Sequence, residues 1–403
     1  MELSGIRGIA DCDLDGRTVF VRVDFNVPMR DGVITDDARI RAALPTIEAL
    51  RARDCKLVLA SHLGRPKGER KPELSLVPVG ARLAKLLGAD VVVPDDCVGD
   101  GAKKVVRDLA PGGVVLLENV RFHTAETKGD ALFASELAQL ADAYVNDAFG
   151  TTHRAHASTY TAARFFPEGQ RACGLLIERE LEYLGPLLND AERPFVGILG
   201  GAKVSDKIRV IENLLGRLDT LLIGGAMAYT FLAAKGHKTG TSLVEPDMLE
   251  TAKELMRKAE ATNTRLCLPT DHVVADGIDA EEGEVTDGVA IPAHKAGFDV
   301  GPKTRALYAA EVARAATVLW NGPLGVFENA PFSGGTFAMA DALAACDATV
   351  VIGGGDSAAA LRQAGKQADV THVSTGGGAS LEFIEGKDLP GIAALRAGHK
   401  FTK

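Results

Sequence analysis

Eleven short apolar runs, spread from one end of the chain to the other, constrain its fold more than any other feature. They are TVFVRV from Thr18, KLVLA from Lys56, DVVV from Asp90, GVVLL from Gly113 and AYVN from Ala143. After a gap come FVGIL from Phe195, DTLLI from Asp219, RLCL from Arg265, TVLW from Thr317, TVVI from Thr349 and DVTHV from Asp369. Each is continuous, rich in Val, Ile or Leu, and bounded by Gly, Pro or Asp. Strands of a parallel sheet read this way, because both faces are covered and no polar face has to alternate with the apolar one. Segments with helical spacing lie between many of them, such as RIRAALPTIEALRAR from Arg39 and DKIRVIENLLGRL from Asp206. Strand and helix in alternation predict α/β architecture with doubly wound parallel sheets, not a single barrel.

A chain of 403 residues that is 46% hydrophobic can fill more than one core. The longest strand-free stretch in the middle, ERELEYLGPLLNDAERP from Glu178, is amphipathic and ends in proline. It predicts a helix joining two Rossmann-like domains, with the boundary near Pro186 to Pro194. The expected domains are 1–185 and 186–390, with 391–403 a tail whose docking the sequence leaves open. No apolar run approaches the length of a membrane span, and the first residues lack the zones of a secretory signal, so a soluble intracellular protein is expected. The six cysteines include no C-x-x-C pair and are expected to be reduced. Net charge is −9, and neither half is basic, which argues against a nucleic-acid partner. Local positive clusters in an acidic protein point instead to a small anion.

The second half carries four glycine-rich junctions directly after strands: ILGGAK, LIGGAM, VIGGGDS and VSTGGGAS. Gly201, Gly225, Gly354 and Gly355 fall in them. Such a junction allows close backbone approach to a phosphate at a helix start, or serves only tight strand-to-helix packing. Lys203 and Lys207, four apart, are expected on one face at a helix start. Asp356 suits either a helix cap or Mg²⁺ beside a phosphate chain. The order of residues is not that of a P-loop, and no P-loop occurs elsewhere.

The first half ends its strands with side chains: VRVDFN, SHLGR, ENVRFH and FGTTHRAH. Arg65, Arg121 and Arg154, with His62 and His153, follow predicted strands whose carboxyl ends should face one crevice, and Arg39 starts the first long helix. Guanidinium groups suit carboxylate and phosphate oxygens, and Asp24 and Asn26 suit a hydroxyl. His153 and His156 have no third ligand at metal spacing. Phosphates held by backbone in one half and a small acid held by side chains in the other fit phosphoryl transfer between a nucleotide and an acid. Neither an H-R-D loop nor a D-F-G motif is present. An ionised carboxylate acceptor has no proton to lose and needs no base.

At these residues the chain resembles the phosphoglycerate kinases nearly end to end. RVDFNVPM, SHLGRP, ENVRF, FGTTHRAHAS, GGAKVSDKI, WNGPLGVFE, GGGDS and STGGGASLE occur in that family's order. The resemblance implies two α/β domains on a helical hinge, a cytoplasmic monomer, and reversible transfer of phosphate from 1,3-bisphosphoglycerate to Mg-ADP. Because the two charged clusters fall in different domains, direct in-line transfer is expected only after domain closure. By resemblance Asp24, Asn26, Arg39, His62, Arg65, Arg121 and Arg154 form the phosphoglycerate site. Lys203, Lys207, Glu328, Gly354, Gly355, Asp356 and Ser357 match the nucleotide site, with Arg39 and Lys203 on the moving phosphoryl group, Lys207 on nucleotide phosphates, Glu328 on the ribose and Asp356 on Mg²⁺. Ala226 stands where a third glycine is more familiar. Two rivals remain. A nicotinamide dehydrogenase should show G-x-G-x-x-G after an early strand, which is not found, and a nucleotide-binding protein without turnover would have no use for a complete acid site.

Overall fold

The computed structural model describes residues 3–401, which divide into two compact units. One holds the residues up to Glu182 and those from Asp388 onward, and the other runs Tyr183–Lys387. The division falls inside the helix Leu175–Asn189, where the sequence predicts a linking helix.

The first unit contains β1 (Thr18–Arg22), β2 (Met29–Arg30), β3 (Val33–Ile34), β4 (Lys56–Ala60), β5 (Val91–Val92), β6 (Val114–Leu116), β7 (Ala143–Asn146) and β8 (Arg171–Cys173). Six of these form one parallel sheet in the order β5-β6-β4-β1-β7-β8, while β2 and β3 make a separate antiparallel hairpin. Register aligns Arg22 with Ala60 on one side and Asn146 on the other, so DFN, SHLGR and DAFG leave the same edge of the sheet. Val19, Val21, Leu57, Leu59 and Val145 are fully buried in the core against Ile40, Ile47 and Leu50 of the helix Ala38–Arg51. Truncating one such side chain, as in Leu59→Ala, is expected to cost about 2–5 kcal/mol.

The tail belongs to this unit. The Gly391 N–H donates to the Thr152 carbonyl at 2.8 Å, and a Cβ at Gly391 would lie 2.9 Å from the Thr152 Cα. The Tyr160, His399 and Phe401 rings pack as a triangle, with Tyr160 centroid distances of 5.8 and 5.3 Å and 4.8 Å between the other two.

The second unit contains β9 (Phe195–Leu199), β10 (Thr220–Ile223), β11 (Arg265–Cys267), β12 (His272–Ala275), β13 (Glu284–Val285), β14 (Ala296–Val300), β15 (Thr317–Asn321), β16 (Thr349–Gly353) and β17 (His372–Val373). Its parallel sheet has the order β11-β10-β9-β15-β16-β17. The chain winds outward from β9 and then returns to β15, so the switch point where such sheets bind ligands lies between Leu199 and Asn321, which are in register. All eleven predicted runs are strands of these two parallel sheets. The small antiparallel sheet β13-β12-β14 was not anticipated, nor were β8 and the β2–β3 hairpin.

Candidate active site

In the first unit the segments after β1, β4, β6 and β7 bring charged side chains to one edge and connect them by hydrogen bonds. Arg22, the last residue of β1, is completely buried. Its Nε donates to Ser158 Oγ at 2.8 Å, and a second nitrogen donates to His62 Nδ1 at 3.2 Å. Ser158 in turn gives its hydroxyl (2.6 Å) and its N–H (2.9 Å) to the buried Glu126 carboxylate. A guanidinium can only donate, so His62 Nδ1 accepts and the ring proton is on Nε2. Beyond His62 lies Asp24, with Oδ1 3.8 Å from His62 Nδ1. Asp24 Oδ2 accepts from Arg39, the second residue of the helix Ala38–Arg51. Glu126, Ser158, Arg22 and His62 are thus one hydrogen-bonded line, and the Asp24–Arg39 ion pair lies beside its end. Asn26 braces it, donating its N–H to Asp24 Oδ1 at 3.3 Å and accepting the Gly64 N–H at 2.8 Å.

Electrostatics ties the remaining predicted residues to this line. Burial, then Arg22, Arg121 and Arg39, holds the His62 pKa well below the imidazole range even though Asp24 opposes them. Burial works against the Asp24 carboxylate, but His62, Arg39 and Arg22 outweigh it and keep its pKa low. Arg121 is pulled down to about 10 by burial and by Arg22 and Arg65, while its guanidinium donates to the Gly64 carbonyl at 3.0 Å. His156 falls to about 4 under burial and the charges of Arg121, Arg22, Arg154 and His153. Arg65 and Arg154 are exposed, and neither guanidinium has a hydrogen-bond partner among the described residues. The seven predicted residues therefore share one electropositive basin holding an ionised Asp24 and neutral imidazoles. Like charges that disfavour one another without a ligand are relieved by a multivalent anion.

The second unit is built differently. Lys207 donates to Asn321 Oδ1 at the end of β15, and burial lowers its pKa against the pull of Asp206, Asp356 and Glu385. Asn321 is itself buried, and its Nδ2 has no partner among the described residues. The Gly322 N–H donates to the buried Ser357 Oγ at 2.6 Å. One expectation fails here. Lys207 donates its N–H to the Val204 carbonyl at 2.8 Å in a turn, and the helix begins only at Ile208. Lys203 is therefore an exposed loop residue and does not share a helix face with Lys207. The loop is braced instead by Glu245, which accepts from the Ser205 hydroxyl at 2.6 Å and its N–H at 3.1 Å.

The glycine junctions serve two purposes. A Cβ on Gly225 would lie 2.5 Å from the Gly201 N and O, and one on Gly200 only 2.0 Å from the Pro323 carbonyl. Those positions are glycine because three loops pack backbone to backbone. A Cβ on Gly201 or Gly355 would meet nothing within 4 Å, so at these two the free space faces outward. Ala226 lies at φ −65° as the residue before the helix Met227–Ala234, a conformation that needs no third glycine. Asp356, in the first turn of the helix Gly355–Gln363, is exposed and supplies no cap hydrogen bond; the cap position is Gly354. A free carboxylate beside Lys207 has the donor chemistry for Mg²⁺ held together with phosphate oxygens. Glu328 is exposed on the loop after β15, and no contact among the described residues joins it to Lys207 or Asp356.

Arg22, Ser158, Glu126, Asn321 and Glu245 were not foreseen in the sequence. Two left a signal there. Arg22 is a charge inside the apolar run TVFVRV, and Asn321 closes the run TVLW as Asp24 closes the first.

Comparison with known proteins agrees over nearly the whole chain. A family model described as phosphoglycerate kinase matches residues 9–387. A phosphoglycerate kinase of Anaeromyxobacter sp. strain K is 56% identical over 393 residues, covering 96% of this chain and 99% of the relative. One from Clostridium novyi strain NT is 56% identical over 390 residues, covering 96% and 98%. The solved phosphoglycerate kinase of Coxiella burnetii superposes with a TM-score of 0.90 at 40% identity, covering 98% of this chain and 100% of that one. That of Pyrococcus horikoshii OT3 gives 0.82 at 33% identity, covering 97% and 98%. With nearly its full length matched in both sequence and fold, this chain belongs to the phosphoglycerate kinase family.

Proposed function

We propose that the chain is a phosphotransferase with a carboxyl acceptor, moving a phosphoryl group reversibly between 1,3-bisphosphoglycerate and Mg-ADP to give 3-phosphoglycerate and ATP in glycolysis and gluconeogenesis. The observation that carries this reading is the basin of the first unit, where Arg22, Arg39 and Arg121 act on Asp24, Arg65 on Arg121, and Arg121 and Arg154 on His156, with too few carboxylates to neutralise them.

In this reading Arg65, Arg121 and Arg154 hold the acid's charged ends, while His62, Asp24 and Asn26 bond its hydroxyl. Residues 1–185 would thus be the acid-binding domain and 186–390 the nucleotide-binding one. An oxygen of the ADP β-phosphate attacks the acyl phosphorus, the bond from phosphorus to the carboxyl oxygen breaks, and the carboxylate leaves ionised, so no proton is transferred. Arg39 and Lys203 stabilise charge spread over the moving phosphoryl oxygens. Lys207, steadied by Asn321, takes nucleotide phosphates together with the backbone at Gly201, Gly354 and Gly355 and the Ser357 hydroxyl. Gly225 contributes through packing against Gly201, and Glu328 meets the ribose. Asp356 would hold Mg²⁺, which when bound offsets negative charge on the phosphate oxygens. Reacting atoms must come to about 3–3.5 Å, so transfer requires closure about the helix Leu175–Asn189. The chain acts as a cytoplasmic monomer. Its acidic charge supports the absence of a nucleic-acid partner, and no helix among the described residues is long and apolar enough to cross a membrane.

A coupled assay of ATP formation from 1,3-bisphosphoglycerate and Mg-ADP tests the reading. Folded protein that binds both ligands and forms no ATP would leave a binding protein in its place.

A further inference from the structure

Outside the basin, three side chains able to ligate a metal converge in the first unit. Asp96 and Cys97 lie in the loop between β5 and the helix Gly99–Arg107, and His123 caps the short helix Thr124–Thr127. One carboxylate oxygen, one sulfur and one ring nitrogen from these residues lie within 4.8 Å of one another. His123 Nε2 is 2.7 Å from Asp96 Oδ1, which also accepts the Cys97 N–H at 2.6 Å. Cys97 is fully buried, whereas the Asp96 and His123 side chains are 47% and 31% exposed. The sulfur forms the floor of the cluster, and the oxygen and nitrogen form a rim open to solvent.

The donor set selects among cations. Mg²⁺ and Ca²⁺ prefer oxygen ligands throughout, and a thiol on the floor suits neither. Sulfur, imidazole nitrogen and carboxylate together suit a borderline ion, and three protein donors with an open fourth position match a water-bearing zinc site. A tetrahedral ion with bonds of about 2.0–2.3 Å holds its donors about 3.5 Å apart. The closest pair must therefore open, and the widest contract, by roughly 1 Å, within reach of side-chain rotation. We propose that Asp96, Cys97 and His123 bind a single divalent transition ion of the Zn²⁺ class. On binding, the Cys97 thiol releases its proton to solvent and its sulfur bonds the ion. The hydrogen bond between His123 and Asp96 is exchanged for two metal bonds, with the ring proton on Nδ1. Burial keeps the thiol protonated without an ion, since it pushes the Cys97 pKa well above the usual range with help from Asp96. His123 directly follows the turn Val120–Phe122 that carries Arg121, so a bound ion would stiffen that turn without touching the anion.

The test uses chelator-stripped full-length protein titrated with Co²⁺ as an optical probe and with Zn²⁺ as competitor. One Co²⁺ per chain is expected, with a near-ultraviolet thiolate-to-cobalt band that Zn²⁺ removes. Cys97→Ser should abolish the band. Asp96→Asn, on the rim where folding is not at stake, should weaken Zn²⁺ at least about tenfold. Cys267→Ser, at the half-buried thiol of the other unit, should change neither. Folded wild-type protein without the band overturns the proposal, as does a band that survives Cys97→Ser or an unchanged Zn²⁺ affinity in Asp96→Asn. The cluster is then only a hydrogen-bonded brace of its loop.

Discussion

The proposed anion sites of the two units are built on opposite plans. In the first, charge rides on side chains, held in a line from Glu126 through Ser158 and Arg22 to His62 and in the ion pair of Asp24 with Arg39 beside it. In the second, one lysine is held by Asn321, and the rest of the edge is loop backbone packed so closely that Gly200 and Gly225 have no room for a Cβ. A side-chain site tolerates small changes of backbone shape but is sensitive to each charge. A backbone site is the reverse, and it depends on distances that only the packing of neighbouring loops can maintain.

The largest expected effect removes a charge from the first plan. Arg39→Ala should lower kcat by about a hundredfold or more, with a smaller change in KM for the acid, because the proposed function matches its cation to the moving group. Steady-state kinetics showing only a raised KM would assign Arg39 to ground-state binding. The second plan should break through shape. Gly225→Ala combines φ +66° with contacts of 2.5 Å to Gly201 and should cost about 2 kcal/mol or more in urea unfolding. Gly355→Ala should leave stability unchanged and weaken ADP binding, since its Cβ points into open space; equal stability losses would remove the distinction between packing and open glycines.

Asp356→Ala should weaken Mg-ADP by about tenfold, or about 1.4 kcal/mol, and leave 3-phosphoglycerate binding unchanged by calorimetry. Equal loss of both ligands would make that carboxylate structural. A pH test compares buried carboxyls. Asp147 in the first unit accepts N–H groups from Leu176 and Ile177 but has no cation beside it, and burial raises its pKa to about 7. Asp299 in the second also accepts from Arg305 at 2.9 Å and is raised to about 6. In each case the folded state keeps a proton that the unfolded chain releases near pH 4. The contribution is full below that pH and is lost as pH rises through the folded pKa. Between pH 6 and 8 Asp147 should cost the fold about 1.4 kcal/mol, and Asp147→Asn should flatten that slope in denaturant titrations more than Asp299→Asn does. The smallest effect is expected at Ser158→Ala, which cuts the line behind Arg22. Acid binding should weaken by about threefold with nucleotide binding unaffected, and an unchanged affinity would show that Arg22 holds its place without the line.

The sheets were legible because a strand covered on both faces must be apolar throughout, and runs such as KLVLA and FVGIL satisfy that without help from distant residues. The strand Ala296–Val300 was not, because it contains Asp299, whose burial makes sense only once Arg305 and the Gly335 N–H are seen to face it. The same division holds in the candidate site. Arg39, Arg65, Arg121 and Arg154 announce themselves by type and by their positions after strands. Glu126 and Ser158 are 32 residues apart, and nothing local marks them as partners. Lys203 and Lys207 were assigned a shared helix face from spacing alone, but the turn at Val204 delays the helix to Ile208. Glycine pattern likewise could not separate Gly225, crowded by Gly201, from Gly355, which faces open space.

The return of the chain end to the first unit has a consequence for the order in which the protein is made. The second unit, Tyr183–Lys387, is contiguous in sequence, while the first is assembled from both ends of the chain. In the order of translation the whole of the second unit precedes Gly391, whose carbonyl accepts from Asn146 and whose N–H meets Thr152. The segment from Asp388 onward is thus made after the second unit yet completes the first, and a chain cut before Gly391 lacks a contact that its earlier-made unit uses.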